Sequence, residues 1–174
     1  MVIFINGSFG IGKTTVARLL VRQLPRSVLF DPEPVGLILS RLRAPWPAPS
    51  GDFQDLSAWR TTSIRLIRAL RRLRRTVVVP MAFSNTSYLD QFLAGVRRHD
   101  SETFHFCLTA PLCAVRERLE RRETRRGATA WQLRRSDECC LAHRRPEFAE
   151  HVATEHRTPQ AVAEHILSRV RSRS

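Results

Sequence analysis

Eight consecutive residues near the start of the chain, Gly7-Ser8-Phe9-Gly10-Ile11-Gly12-Lys13-Thr14, have the types and spacing that hold a polyphosphate. Glycines let the backbone turn until its N–H groups point inward at phosphate oxygens, and the helix that follows presents its positive end to the same charge. Lys13 supplies a mobile cation for the β- and γ-phosphates, and the Thr14 hydroxyl is a hard oxygen ligand for Mg2+. Lys13 is also the one lysine among 29 basic residues. Arginine stands at every other basic position, yet the loop keeps lysine. No base-reading N-K-x-D motif accompanies the loop, so the expected cofactors are ATP and Mg2+ rather than GTP.

Phosphoryl transfer asks little covalent chemistry of a protein; it needs positioning, charge neutralisation and a group to take the acceptor's proton. In Phe30-Asp31-Pro32-Glu33-Pro34 two carboxylates follow a short apolar run and are stiffened by two prolines. Asp31 is the expected general base and Glu33 an acceptor-side carboxylate. Asp before Pro also forms turns, so a purely structural role stands beside the functional one. The third apolar run, Thr76-Val77-Val78-Val79-Pro80-Met81, ends without an acid. Asp31 is therefore also the candidate metal ligand beside Thr14, which leaves its role as base open.

Three more residues could face an acceptor. Asp52 and Arg60 could hold polar or anionic groups and Trp59 an apolar face, although helical spacing equally puts Trp59 in a core and Arg60 in solvent. Arginines crowd the segment 115–135. Arg118 and Arg122, four apart on one helix face, are the expected lid cations, with Arg126 outside them; a lid of this kind neutralises transferring charge and excludes water, while surface solvation accounts for the rest.

The elements needed to position these groups can be read from periodicity. Apolar or β-branched runs predict strands at 2–5, 27–30, 76–80, 103–109 and 151–153, and 3.6-residue spacing predicts helices at 14–24, 35–42, 53–75, 86–98, 111–122, 131–143 and 159–171. In the long helix Trp59, Ile64, Ile67, Leu70 and Leu73 are expected inward. Segment 44–51 is a Pro-rich loop. Alternating strands and helices predict an α/β fold, a mostly parallel sheet covered on both faces.

At 174 residues, 43% apolar and 26% charged, the chain fits one globular domain, 1–174, with the lid at about 116–135. No apolar run reaches the ~18 residues of a membrane span, and no signal-peptide pattern opens the chain, so a cytoplasmic protein with free thiols is expected. The net charge of +13 invites nucleic acid, but a bias to arginine across the whole chain is a compositional trait, and no nucleic-acid partner is expected.

The segments FINGSFGIGKT, FDPEPVG, DFQDLSAWR, VVVPM and HVATEH to TPQAVAEHI together resemble the tunicamycin-resistance ATP-binding proteins, which are similar to chloramphenicol phosphotransferase and to nucleoside, gluconate and shikimate kinases. The resemblance covers nearly the whole chain. It implies a five-stranded parallel sheet of order 2-3-1-4-5 with a lid, phosphates and magnesium on residues 7–15, Asp31 on the acceptor side, Arg118 and Arg122 in the lid, and residues 154–159 near adenine. It further implies resistance by binding or phosphorylating an antibiotic, and the expectation is a phosphotransferase for an antibiotic or nucleoside-like small molecule, a monomer or homodimer. Some members are membrane-associated through the last helix, which allows a weak peripheral contact here. Two alternatives stand: a non-catalytic protein that sequesters its ligand, and a nucleic-acid-stimulated ATPase.

Overall fold

The computed structural model describes residues 1–42, 52–73, 75–123, 130–148 and 150–173. Its centre is three strands whose residues are almost all buried: β1 (Val2–Gly7), β3 (Thr76–Met81) and β4 (Thr103–Thr109). Short strands β2 (Ser27–Leu29) and β5 (His151–Ala153) complete a five-stranded sheet of order β2-β3-β1-β4-β5. Every pairing is parallel, so all strands deliver their C-terminal ends to one side. Asn6, the last side chain of β1, lies opposite Met81 on one neighbour and Cys107 on the other.

Because side chains alternate across the pleat, each central strand feeds two cores. Ile3, Ile5 and Val78 face one core with Val16, Leu20, Val162 and Ile166, which come from α1 (Lys13–Gln23) and α7 (Pro159–Arg171). Val2, Phe4, Val77 and Val79 face the other, with Trp59 and Ile67 of α3 (Ser57–Arg72) and Leu89, Phe92 and Val96 of α4 (Thr86–Arg97). The apolar stripe of α7, Val162, Ile166 and Val170, is at most 1% exposed and packs with α1. That stripe has no surface left for a membrane. Among the described residues no helix is long and apolar enough to cross one.

The remaining helices are α2 (Glu33–Leu42), α5 (Leu112–Glu123) and α6 (Ala130–Ala142). The expected helix 53–75 is divided: the Asp52 side chain accepts from the Gln54 N–H, a 3-10 turn covers Phe53–Asp55, and the extended backbone of Leu56 precedes α3. Leu73, expected inward, lies past the last turn of α3 and is 65% exposed. Segment 44–51 and residues 124–129, with Arg126, lie outside the described residues.

Between the helical layer and the sheet sit two enclosed imidazoles. His105, on β4, has its pKa lowered to about 4 by burial, aided by Arg97 and the other histidines. His143 is likewise lowered to about 4 by burial, although the Phe83 carbonyl, which accepts from its Nε2 at 2.6 Å, opposes the shift. Both rings are neutral when folded, whereas the unfolded chain protonates them near pH 6.5. Their contribution is complete above about pH 6.5 and is lost as pH falls toward 4, by about 3 kcal/mol per ring at most. The urea midpoint should therefore fall between pH 7 and 4.5, and His143→Gln, which keeps a donor for Phe83, should flatten the dependence; an unchanged midpoint would show that the rings already meet water.

Candidate functional site

The turn after β1 has a shape only glycine permits at two positions. Gly10 (φ +78°) and Gly12 (φ +105°) lie in the left-handed region. A Cβ on Gly10 would also stand 2.7 Å from Leu119 Cγ, whereas one on Gly12 would meet nothing within 4 Å. Conformation alone demands glycine at 12, and packing demands it as well at 10. Gly12 is the N-cap of α1, with no capping side chain and no acid in the first turn. The leading N–H groups of that helix and its dipole are thus left to an anion.

Lys13 opens α1 yet is 8% exposed, and its Nζ donates to the Ser8 carbonyl at 2.8 Å. The ammonium also lies 5.3 Å from the centre of the Phe9 ring, whose edge meets Trp131 of α6 at 5.5 Å. The loop is thereby roofed by the first turn of α6. Phe9, Gly10, Gly12, Lys13, Thr14 and Thr15 share one cavity of about 200 Å3 with Asp31, Glu33, Pro80 and Gln132. The phosphate loop and the acidic turn therefore meet in space. Backbone amides, an ammonium, the Thr14 hydroxyl and the Asp31 carboxylate lining one cavity suit a triphosphate with a hard divalent ion such as Mg2+, which takes oxygen ligands.

The acidic turn is held from two sides. One Asp31 carboxylate oxygen accepts from the Glu33 N–H at 3.0 Å, which starts α2, and the Pro32 carbonyl accepts from Trp59 Nε1 at 2.9 Å. Burial pushes the Glu33 carboxyl above its usual range, assisted by Asp31 and Asp52 and opposed by Lys13. Trp59, expected as a candidate face for an acceptor, is instead fully buried among Phe53, Phe83 and Phe92. It has no surface to offer a ligand; it anchors the turn that carries Asp31. Arg60 is similarly occupied, donating to the Gln54 carbonyl and lying 4.4 Å over the Tyr88 ring.

Asp52 does not line the acidic cavity but forms a buried ion pair with Arg135 of α6 at 3.0 Å. Burial raises the Asp52 carboxyl, against the Gln54 N–H and Arg135. Arg135 also donates to Ser84 Oγ at 2.8 Å and Glu138 at 2.7 Å, so it ties α6 to the segment after β3. The same segment is gripped by Asn6, which accepts from the Phe83 N–H at 2.8 Å, and by Gln54, which donates to the Ala82 carbonyl at 3.0 Å. Nothing in the sequence distinguished Arg135 or Gln132 from their neighbours. Only the fold brings them here.

Arg118 does not line the acidic cavity. Its guanidinium donates to the Thr154 hydroxyl and carbonyl, both at 3.0 Å, and lines a second cavity of about 360 Å3 with Gly10, Gly12, Thr15, Arg157 and Pro159. The two cavities flank the phosphate loop and share its glycines. Arg122 belongs to the last turns of α5; its side chain lies outside the described residues.

A parallel sheet of this order with such a loop between β1 and α1 defines a P-loop kinase-like protein. The AAA domain family matches residues 2–139. The tunicamycin resistance protein of Deinococcus radiodurans is similar in structure, with a TM-score of 0.78 and 31% identity over 97% of this chain and 94% of that one. Shikimate kinase from Acinetobacter baumannii, in complex with shikimate, superposes with a TM-score of 0.63 at 18% identity, covering 99% and 94% of the two chains. A gluconokinase from Sinorhizobium meliloti gives 0.65 at 15% identity, covering 99% and 96%. No curated protein sequence matches the chain. The chain belongs to the AAA domain family, within the P-loop kinase-like group that includes the tunicamycin resistance protein.

The Asp52–Arg135 pair should be visible in stability. Arg135→Met leaves the enclosed Asp52 carboxylate without that cation and should cost about 3 kcal/mol, whereas adding Asp52→Asn, which keeps the bond to Gln54, should recover much of the loss. Urea unfolding of the four proteins of this cycle measures the coupling; additive losses would show that the pair is not coupled.

Proposed function

We propose that this protein is an ATP- and Mg2+-dependent phosphotransferase that modifies a hydroxyl or amine of a small molecule. The observation that carries the reading is the one cavity lined by Lys13 and Thr14 together with Asp31 and Glu33. Bound nucleotide supplies the transferable phosphoryl group, and Mg2+ supplies charge neutralisation at its oxygens. Thr14 would hold the metal, and Asp31 would join it only where it does not serve as the base. Lys13 and the loop amides bind the phosphates, and Asp31 takes the acceptor proton at its free carboxylate oxygen while its other oxygen keeps the turn. Arg118, beside Thr154 and the second cavity, serves the nucleoside end, and residues 116–135 act as the lid with Arg122 over the phosphates. Glu33 contacts the acceptor. The relative named for tunicamycin resistance supports an antibiotic or nucleoside-like acceptor.

A second reading is a non-catalytic protein that binds ATP and sequesters its ligand. The feature that favours it is the end of β3, where Pro80 and Met81 lead to Ala82 and Phe83 without an acid to support a metal.

A screen of nucleosides, amino sugars and antibiotics for acceptor-dependent ADP release, followed by mass analysis, separates the two. An added phosphoryl group supports transfer; a tightly bound, unchanged ligand supports sequestration. Lys13→Ala should abolish turnover and weaken ATP binding. Asp31→Asn keeps an oxygen for the Glu33 N–H, so it should retain ATP binding while transfer falls by about 100-fold or more; undiminished transfer would remove Asp31 as the base.

A further inference from the structure

At the opposite end of the sheet, about 20 Å from the phosphate loop by the length of β1, a cavity of about 400 Å3 opens between the last turns of α3 and α4. The two helices meet closely where Gly95 faces Ile64; a Cβ on Gly95 would stand 2.5 Å from Ile64 Cδ1. Beyond that contact the floor is apolar, formed by Ile67 and Val96, and the walls carry Arg68, Arg71, Arg72 and Arg98 with His99. The three cavities that border the phosphate loop hold one arginine, two arginines and none.

The charge balance of this cavity is incomplete. Its one acid, Asp100, is engaged by Arg71 Nε and by the N-terminal ammonium of Met1 at 3.8 Å, which Glu102 balances at 3.8 Å. Arg68, Arg72 and Arg98 make no ion pair among the described residues. Each helix C-terminus contributes only about half an elementary negative charge. Four guanidiniums against one carboxylate and two helix ends leave about two positive charges uncompensated. A phosphomonoester carries about the opposite amount near neutral pH. Guanidinium forks match phosphate oxygens in pairs, and the apolar floor suits a planar or aliphatic body of mononucleotide size.

We infer that the groove between the C-terminal ends of α3 and α4 is a second ligand site, separate from the phosphate loop, that takes a small organic phosphomonoester. It does not depend on the phosphotransferase reading, because none of its residues touches the acidic cavity.

The test is amide NMR of the labelled full chain at about 150 mM salt, titrated with adenosine 5′-monophosphate, with adenosine as the uncharged control. Saturable shifts at residues 67–72 and 96–100, absent with adenosine, are expected. Arg72→Ser with Arg98→Ser should weaken them about tenfold while shifts at residues 7–15 persist. Arg98→Ser alone gives a smaller change of the same sign and serves if the double variant is unstable. The inference is overturned if these residues do not respond, if sodium sulfate at equal ionic strength shifts them equally, or if a single-stranded oligonucleotide binds more tightly across arginines outside the groove.

Discussion

The bond from the Lys13 ammonium back to the Ser8 carbonyl closes the loop after β1, and the rest of the site takes its position from that closure. It requires two backbone turns that only glycine tolerates, and it requires a strand that cannot shift. β1 provides the second condition by lying between two parallel neighbours with every residue buried. A charged group enclosed to this degree is tolerated only where carbonyls, dipoles and counter-charge offset its lost hydration. The loop supplies a carbonyl, and the Glu33 carboxyl feels the field of the same ammonium from across the cavity. The cage is therefore electrostatically poised before any phosphate arrives.

The sheet was legible in the sequence because its strands are dictated by local pattern. The uninterrupted β-branched stretch before Pro80 could be satisfied only by burial on both faces, and the spacing of Val16, Leu20, Val162 and Ile166 could be satisfied only by helices lying on it. The phosphate loop was legible for a similar reason, since its function resides in adjacent backbone groups. The uses of Trp59, Asp52 and Arg135 were not legible. An apolar residue at helical spacing reads the same whether it faces a core or a ligand, and the hydrogen bond from Trp59 to Pro32 links residues 27 positions apart. Arg135 is one of many arginines in its segment until α6 folds against the end of β3.

This placement changes what the acidic turn depends on. Asp31 is stiffened by its flanking proline, but its position is fixed by an indole enclosed in an aromatic cluster of Phe53, Phe83 and Phe92. The core on that face is continuous with the site. Packing in the centre of the molecule and geometry at the cavity are thus one mechanical unit, joined through the Pro32 carbonyl and through Phe30 and Val35, which flank the turn and pack on that core.

The ends of the sheet show a different economy. Both outermost strands, β2 and β5, are three residues long, so each leaves only a short row of unpaired amides and carbonyls along the rim. Long exposed rims invite other chains to add strands, and brevity at the border is one of the ways natural folds resist such recruitment. The longer, more hydrophobic strands lie inside the sheet, with β2 covering Thr76–Val78 of β3 and β5 covering Cys107–Thr109 of β4. Three-residue borders thereby limit how much backbone the sheet offers to an incoming strand.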